Sequence, residues 1–180
     1  MLHSKLLISR IDFLPYVQTT DVGNDEKLLH PHILNAQLLD IMPVLGGVFF
    51  TDLLNNADDD KYKKLLNGGT YTINNQDAIF TGLKATIVWY AIARKRSNAN
   101  AIDTGFGLVI KTSEFSTPVP SKQIDSMVQA AQSAGYAYMK EVIDFLNVSK
   151  ATYPLWIVEC NKETKMRKSQ RMKPISRLDD

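Results

Sequence analysis

Between Ala85 and Ala93 the chain reads ATIVWYAIA, a stretch that is apolar on nearly every side when wound as a helix. A helix with one apolar stripe lies on a core; a helix apolar all round must be covered on more than one side. The surrounding residues 76–97 carry the helical period outward. Phe80, Leu83, Ile87, Tyr90, Ala91 and Arg94 form one stripe, and Ala85, Val88, Trp89 and Ile92 form a second. The basic end, ARKRS, complements the negative end of a helix dipole. Such a helix belongs in the middle of a bundle, or between a core and a neighbouring subunit. The rest of the chain has to be arranged around it.

The segments on either side are mostly helical too. From Pro31, a residue suited to the first turn of a helix, Leu34, Leu38, Ile41, Met42 and Leu45 recur at spacings of three and four. Pro43 and Gly46-Gly47 should end or kink this helix. A short helix follows with Val48, Phe49, Leu53 and Leu54 apolar. Asp58 is placed to cap a third, DDDKYKKLL, which Asn67-Gly68-Gly69 stops. Thr70–Ile73 reads as a short extended piece. The longest helix is expected over Ser121–Ser149, with an alanine-rich first half (Ala130, Ala131, Ala134, Gly135, Ala137) that lets another helix approach closely. Tyr153-Pro154-Leu155-Trp156 should close the core. Residues 1–30 show no sustained period and read as an arm.

The stretch Ala101–Pro120, AIDTGFGLVIKTSEFSTPVP, interrupts this pattern between the two main helices. Its glycines suggest a nucleotide loop, but such loops run strand, glycine turn, helix. Here a β-forming run, Leu108–Ile110, follows the glycines, and no Gly-Lys-Ser/Thr is present. A passive linker would not need that run or Phe106 and Phe115. A β-hairpin at about 102–117 remains, ended by Pro118 and Pro120.

The 180 residues are 44% hydrophobic and 22% charged, ordinary for one globular domain. No apolar run approaches the roughly 18 residues that span a bilayer, so no membrane contact is expected. The N-terminal apolar patch is broken by Arg10 and Asp12, and a secretory signal is not expected. The single Cys160 points to no disulfide framework. The net charge of +2 hides an asymmetry: residues 161–180 hold seven Lys or Arg against three acids. Lys165, Arg167, Lys168, Arg171 and Lys173 are therefore candidates for contact with nucleic acid or an acidic partner. The tail has no interleaved aromatics, which argues against stacking on single strands.

Catalytic constellations are absent from the pattern. Tyr136 and Lys140 have dehydrogenase spacing but no Rossmann half, and Tyr and Lys four apart are common on a long amphipathic helix. Counting from Asp58, a calcium loop would need glycine and glutamate where Lys63 and Gly69 stand. His30 and His32 lack a third ligand. Neither a catalytic residue nor a metal or cofactor site is expected.

The order of turn and packing motifs resembles a known family. Leu39-Asp40-Ile41-x-Pro43-x-Leu45-Gly46 leads into Phe49-x-x-Asp52-Leu53-Leu54. Tyr62-x-x-Leu65-Leu66-x-Gly68-Gly69-x-Tyr71 follows, then Gly82-Leu83-Lys84 and Trp89-Tyr90-x-x-Ala93-Arg94. Thr104-x-x-Gly107-x-Val109-x-Lys111, Ser116-x-Pro118 and Tyr153-Pro154-x-Trp156 complete the series. Over roughly residues 35–156 this resembles the head–tail connector (adaptor, or neck ring) proteins of tailed bacteriophages, those of crAss-like and related gut phages above all.

The resemblance implies a virion structural protein at the head–tail junction, present in the host cytoplasm during assembly. It implies a homo-oligomeric ring, typically of about twelve copies, on the portal protein and beside adjacent neck or tail rings. Genomic DNA would pass through its lumen, and no enzymatic activity or cofactor is implied. The combined expectation is a mainly α fold, a helical bundle of four to five helices with an inserted β-hairpin and extended N- and C-terminal arms. The arm spans 1–30, the core 31–156 and the basic tail 157–180. Thr104, Gly105, Phe106, Gly107, Val109 and Lys111 of the hairpin, with Trp89 and Ile92, are the expected subunit or partner contacts. The alternative is a nucleic-acid-binding module acting through the basic tail.

Overall fold

The computed structural model of the chain describes residues 5–17, 26–97, 101–104, 107–110 and 118–157. The fold is mainly helical with an inserted two-stranded hairpin, as the sequence leads one to expect. Helix α1 (Glu26–Ala36) continues through a π-helical turn (Gln37–Ile41) into the short α2 (Met42–Leu45). Gly46, at φ 83°, breaks the rod and starts α3 (Gly47–Asn55), and α4 (Asp60–Asn67) follows. Strands β1 (Gly69–Ile73) and β2 (Gln76–Phe80) precede α5 (Leu83–Ser97). Strands β3 (Ala101–Thr104) and β4 (Gly107–Ile110) separate α5 from α6 (Ser121–Val148).

Helix α5 is the centre of the bundle. Leu83, Ala85, Ile87, Val88, Ala91, Ile92 and Ala93 are all buried, and α1, α4 and α6 pack around it. Both apolar stripes are thus used inside the chain, the first of the two placements the all-round pattern allows. The thin face of α6 is where α5 comes close. A Cβ added at Gly135 would lie 3.1 Å from the Tyr90 ring, so a glycine there lets the tyrosine lie flat against the helix. Tyr153 and Trp156 close the far end and are buried against Phe49.

Three expectations are corrected. The first concerns the helix expected over 76–97. Residues 76–80 are instead the second strand of a hairpin, paired antiparallel with β1 from Gly69↔Phe80 to Ile73↔Gln76. Asn74 and Asn75, at φ 51° and 62°, make the two-residue turn whose twist suits a hairpin. Phe80 and Tyr71 point inward and Ile79 outward, an alternation of period two that won over the helical spacing of Phe80, Leu83 and Ile87. The second concerns Pro31, which lies inside α1 and not at its start. Leu29, Ile33 and Ala36 are buried on one stripe, and that stripe begins upstream of the proline.

The third correction is to the arm. Over Lys5–Val17 the chain is part of the core: Leu7, Ile8 and Phe13 are buried. Residues 1–4 and 18–25 lie outside the described residues. Gln37, 1% exposed, holds the segment in place. Its Oε1 accepts the Leu7 N–H at 2.8 Å and its Nε2 donates to the Lys5 carbonyl at 3.1 Å. The Lys84 ammonium meets Asp12 at 2.9 Å, and Lys5 Nζ donates to the Leu54 carbonyl at 2.7 Å. Ser9 and Asp12 cap the short 3-10 turn Arg10–Phe13 reciprocally.

Gln37→Leu keeps the volume but leaves the Leu7 N–H and the Lys5 carbonyl without a partner. It should lower stability by about 2 kcal/mol and make the N-terminal segment an early site of limited proteolysis. An unchanged urea midpoint together with an unchanged digestion pattern would show that Gln37 does not hold the segment.

Candidate interaction surfaces

The β3–β4 hairpin is the insertion expected between the two main helices. Its strands pair antiparallel from Ala101↔Ile110 to Thr104↔Gly107 and, among the described residues, form a two-stranded sheet. Thr104, Gly107 and Val109 lie in these strands. Gly105, Phe106 and Lys111 lie outside the described residues, as do residues 111–117 of the expected hairpin. The basic residues Lys165, Arg167, Lys168, Arg171 and Lys173 also lie outside them, with the tail from 158 onward.

Trp89 and Ile92 are both on α5, and Ile92 is the more buried of the two. That side chain is 6% exposed and belongs to the monomer core, so it is withdrawn as a subunit contact. Its stripe is already filled by this chain's own helices. Trp89 is only half-buried.

Three features mark the surface around the bundle. The π-helical turn brings Asp40 under α5, where Arg94 binds it through two parallel bonds, Nε to Oδ2 at 2.7 Å and an Nη to Oδ1 at 2.9 Å. A bidentate pair of this kind fixes the register of the two helices. It floors a hollow of about 170 Å³ beside Tyr90, Val128 and Gln132. The Tyr90 hydroxyl is pushed up from its ordinary pKa, first by burial and then by the Asp40 charge.

A second feature is a wide, shallow groove of about 600 Å³ where α3 meets the C-terminal turn. Met42, Val48 and Leu155 line it, and Val48 is 71% exposed. Leu39, on the π-helical turn, is also exposed.

The third is a deeper groove of about 410 Å³ bounded by α4, β1 and the turn after α6. Tyr71, Phe145 and Tyr153 form its aromatic floor, and Lys61, Lys64 and Thr152 stand at its rim. Tyr153 donates to the Lys61 carbonyl at 2.6 Å, and burial pushes its hydroxyl pKa up to about 12. Tyr62 beside it is raised as well, first by burial and then by its hydrogen bond to Asp52. The sequence reading missed this groove because it missed the β1–β2 hairpin. The available signal was Asn74-Asn75, two residues that tolerate positive φ, directly after the β-forming run Thr70–Ile73.

Tyr136 is exposed on α6. His32 is half-buried, and burial, then Lys95 and Arg94, hold its pKa below the usual histidine value. Among the described residues no three His, Cys, Asp or Glu side chains come together as a metal would require, and no helix is long and apolar enough to cross a membrane.

No curated protein and no solved structure matches the chain. A sequence family does, and over most of the length: it begins on the π-helical turn, takes in both hairpins and α6, and runs past Trp156. The chain belongs to DUF6712, a family of unknown function whose profile matches residues 41–166.

Proposed function

We propose that the chain is a virion structural protein, a subunit of the neck ring that joins the portal vertex of a tailed bacteriophage to its tail and extends the DNA channel. The observation that carries this reading is the β3–β4 hairpin. It is inserted between the two longest helices of a bundle already closed around α5, and its two strands form a sheet with no third strand among the described residues. The outer edges of such a sheet have backbone groups to offer a neighbour, and strand addition between subunits uses them. A ring also needs heterologous contact, one face of a subunit meeting a different face of the next. The exposed apolar groove at Val48 and Leu155 suits that need. The motif series over residues 35–156 supplies the resemblance to connector proteins. In this reading the protein is not an enzyme and holds no cofactor. Its partners are copies of itself, the portal and adjacent rings.

The test is stoichiometry in the presence of the portal. Purified chain mixed with its portal should give rings in negative stain and a closed oligomer by native mass, about twelve copies by the resemblance. Connector subunits can stay monomeric until the portal templates them, so a monomer alone decides nothing until portal is added. A strict monomer that ignores the portal would overturn the proposal. Gly107→Val should impair ring assembly more than it lowers monomer stability. Equal loss of both would place the hairpin in the core.

A further inference from the structure

The β1–β2 hairpin has a free edge of its own, and its surroundings select what can use it. In a two-residue hairpin the pair flanking the turn exchanges both backbone hydrogen bonds, and bonded and unbonded pairs then alternate. Ile73↔Gln76 flanks the turn, so Tyr71↔Ala78 and Gly69↔Phe80 are bonded pairs. Thr70 and Thr72 are the unbonded positions, and their N–H and C=O groups point away from β2. The sheet has two strands, so this edge is not covered by a third among the described residues.

Thr70 and Thr72 both line the 410 Å³ groove. On its α4 side stand Lys61 and Lys64, and neither takes part in an ion pair among the described residues. Lys61 Nζ lies 4.6 Å from the centre of the Tyr62 ring and Lys64 Nζ 5.9 Å from that of Phe145. Three of the nearby carboxylates are otherwise engaged. Asp60 faces Lys63 at 3.8 Å, Asp77 accepts from Thr72 Oγ1, and Glu141 accepts both the N–H and the hydroxyl of Thr81. Burial first, then the charges of Asp144 and Glu141 on α6, push the Tyr71 hydroxyl pKa up, so acids also act on the groove floor.

We infer that this edge is a strand-addition site for an extended acidic peptide, whose backbone pairs with Thr70 and Thr72 while its carboxylates reach Lys61 and Lys64. Backbone pairing supplies affinity without sequence preference, and the flanking charges supply the choice of strand. Lysines beside an edge repel basic strands and leave apolar ones with desolvated ammonium groups, so they exclude most partners as well as admitting acidic ones. The site does not depend on the ring reading, because the occupant is defined by its chemistry alone.

The experiment uses the full chain and a labelled peptide, acetyl-Thr-Glu-Val-Glu-Val-Glu-Thr-amide, with its lysine-for-glutamate counterpart as control. The acidic peptide should bind and the basic one should not. Lys61→Glu with Lys64→Glu should weaken the acidic peptide about tenfold or more. Methylating the peptide nitrogens that face β1 should abolish binding. Hydrogen exchange should slow at the Thr70 and Thr72 amides on binding and stay unchanged at Asp77 and Ile79 on the opposite edge. Equal binding of both peptides, protection at the β2 edge instead, or indifference to the lysine changes would each overturn the proposal. Displacement of the peptide by a single-stranded oligonucleotide would also overturn it, by making the groove a phosphate site.

Discussion

Gly82→Val is expected to leave little folded protein at room temperature. Gly82 sits at φ 94° and Gly68 at φ 81°, both in the left-handed region that side chains rarely adopt. The two glycines face each other where the chain enters and leaves the β1–β2 hairpin. A Cβ on Gly82 would stand 2.6 Å from the Leu66 carbonyl oxygen and would also strike the Gly68 nitrogen. A Cβ on Gly68 would stand 2.5 Å from the Phe80 carbonyl oxygen. These obstacles are backbone atoms, held by α4 on one side and by the Thr81–Glu141 bonds on the other, so nothing flexible can yield. Backbone strain and overpacking together should cost about 4 kcal/mol or more. A domain of this size has about 5–15 kcal/mol in total, so the variant should melt far below the parent or fail to express soluble. Gly47→Ala is the control: a Cβ there meets nothing within 4 Å, and Gly47 is helical. Alanine should be neutral or slightly stabilising at that position. If circular dichroism melts put Gly82→Val within a few degrees of Gly47→Ala, the close crossing of the two segments is wrong.

The same crossing shows what the sequence made legible and what it hid. Gly68-Gly69 was readable as a stop for α4, because glycine at the end of a helix is a local signal. That Gly82 meets it from the other end of a hairpin was not, since the pairing is between residues fourteen positions apart along the chain. The central helix was legible because an all-round apolar stretch has few places to go. Its beginning was misplaced because Phe80, Leu83 and Ile87 satisfy a helical spacing while Phe80 also fits a strand's inward face. The N-terminal segment was hidden for a different reason. Leu7, Ile8 and Phe13 follow no period, and the group that fixes them, Gln37, is a polar residue that patterning assigns to solvent. On the functional side, the β3–β4 insertion was visible in the run Leu108–Ile110. The β1 groove was not visible, because Lys61, Lys64, Thr70 and Thr152 come together only through tertiary structure.

Phe145→Ala should cost about 3 kcal/mol, and the loss should fall first on the β1–β2 hairpin. Phe145 is buried on α6 and stacks on Phe80, ring centres 4.0 Å apart and planes 9° apart. Tyr71 and Tyr153 meet it edge-on at 5.5 and 5.8 Å. Deleting a core phenylalanine costs about 3–5 kcal/mol, depending on how completely the space collapses or fills. Here the ring lies at the floor of an open groove, so water can enter and the lower end of that range applies. The hairpin's inward face consists of Tyr71, Ala78 and Phe80, and two of those three rest on Phe145. Helix α5 keeps its contacts with α1 and the earlier part of α6. Hydrogen exchange at the paired amides of Tyr71 and Ala78 should therefore accelerate more than exchange at Val88 or Ala91. Phe145→Leu should lose about half as much, because it retains most of the buried apolar area while giving up the stacking. A cycle pairing Phe145→Leu with Phe80→Leu should show coupling of about 1 kcal/mol. Additive losses with uniform acceleration of exchange would mean that the stack is incidental and that the hairpin is held by the Gly68–Gly82 crossing alone.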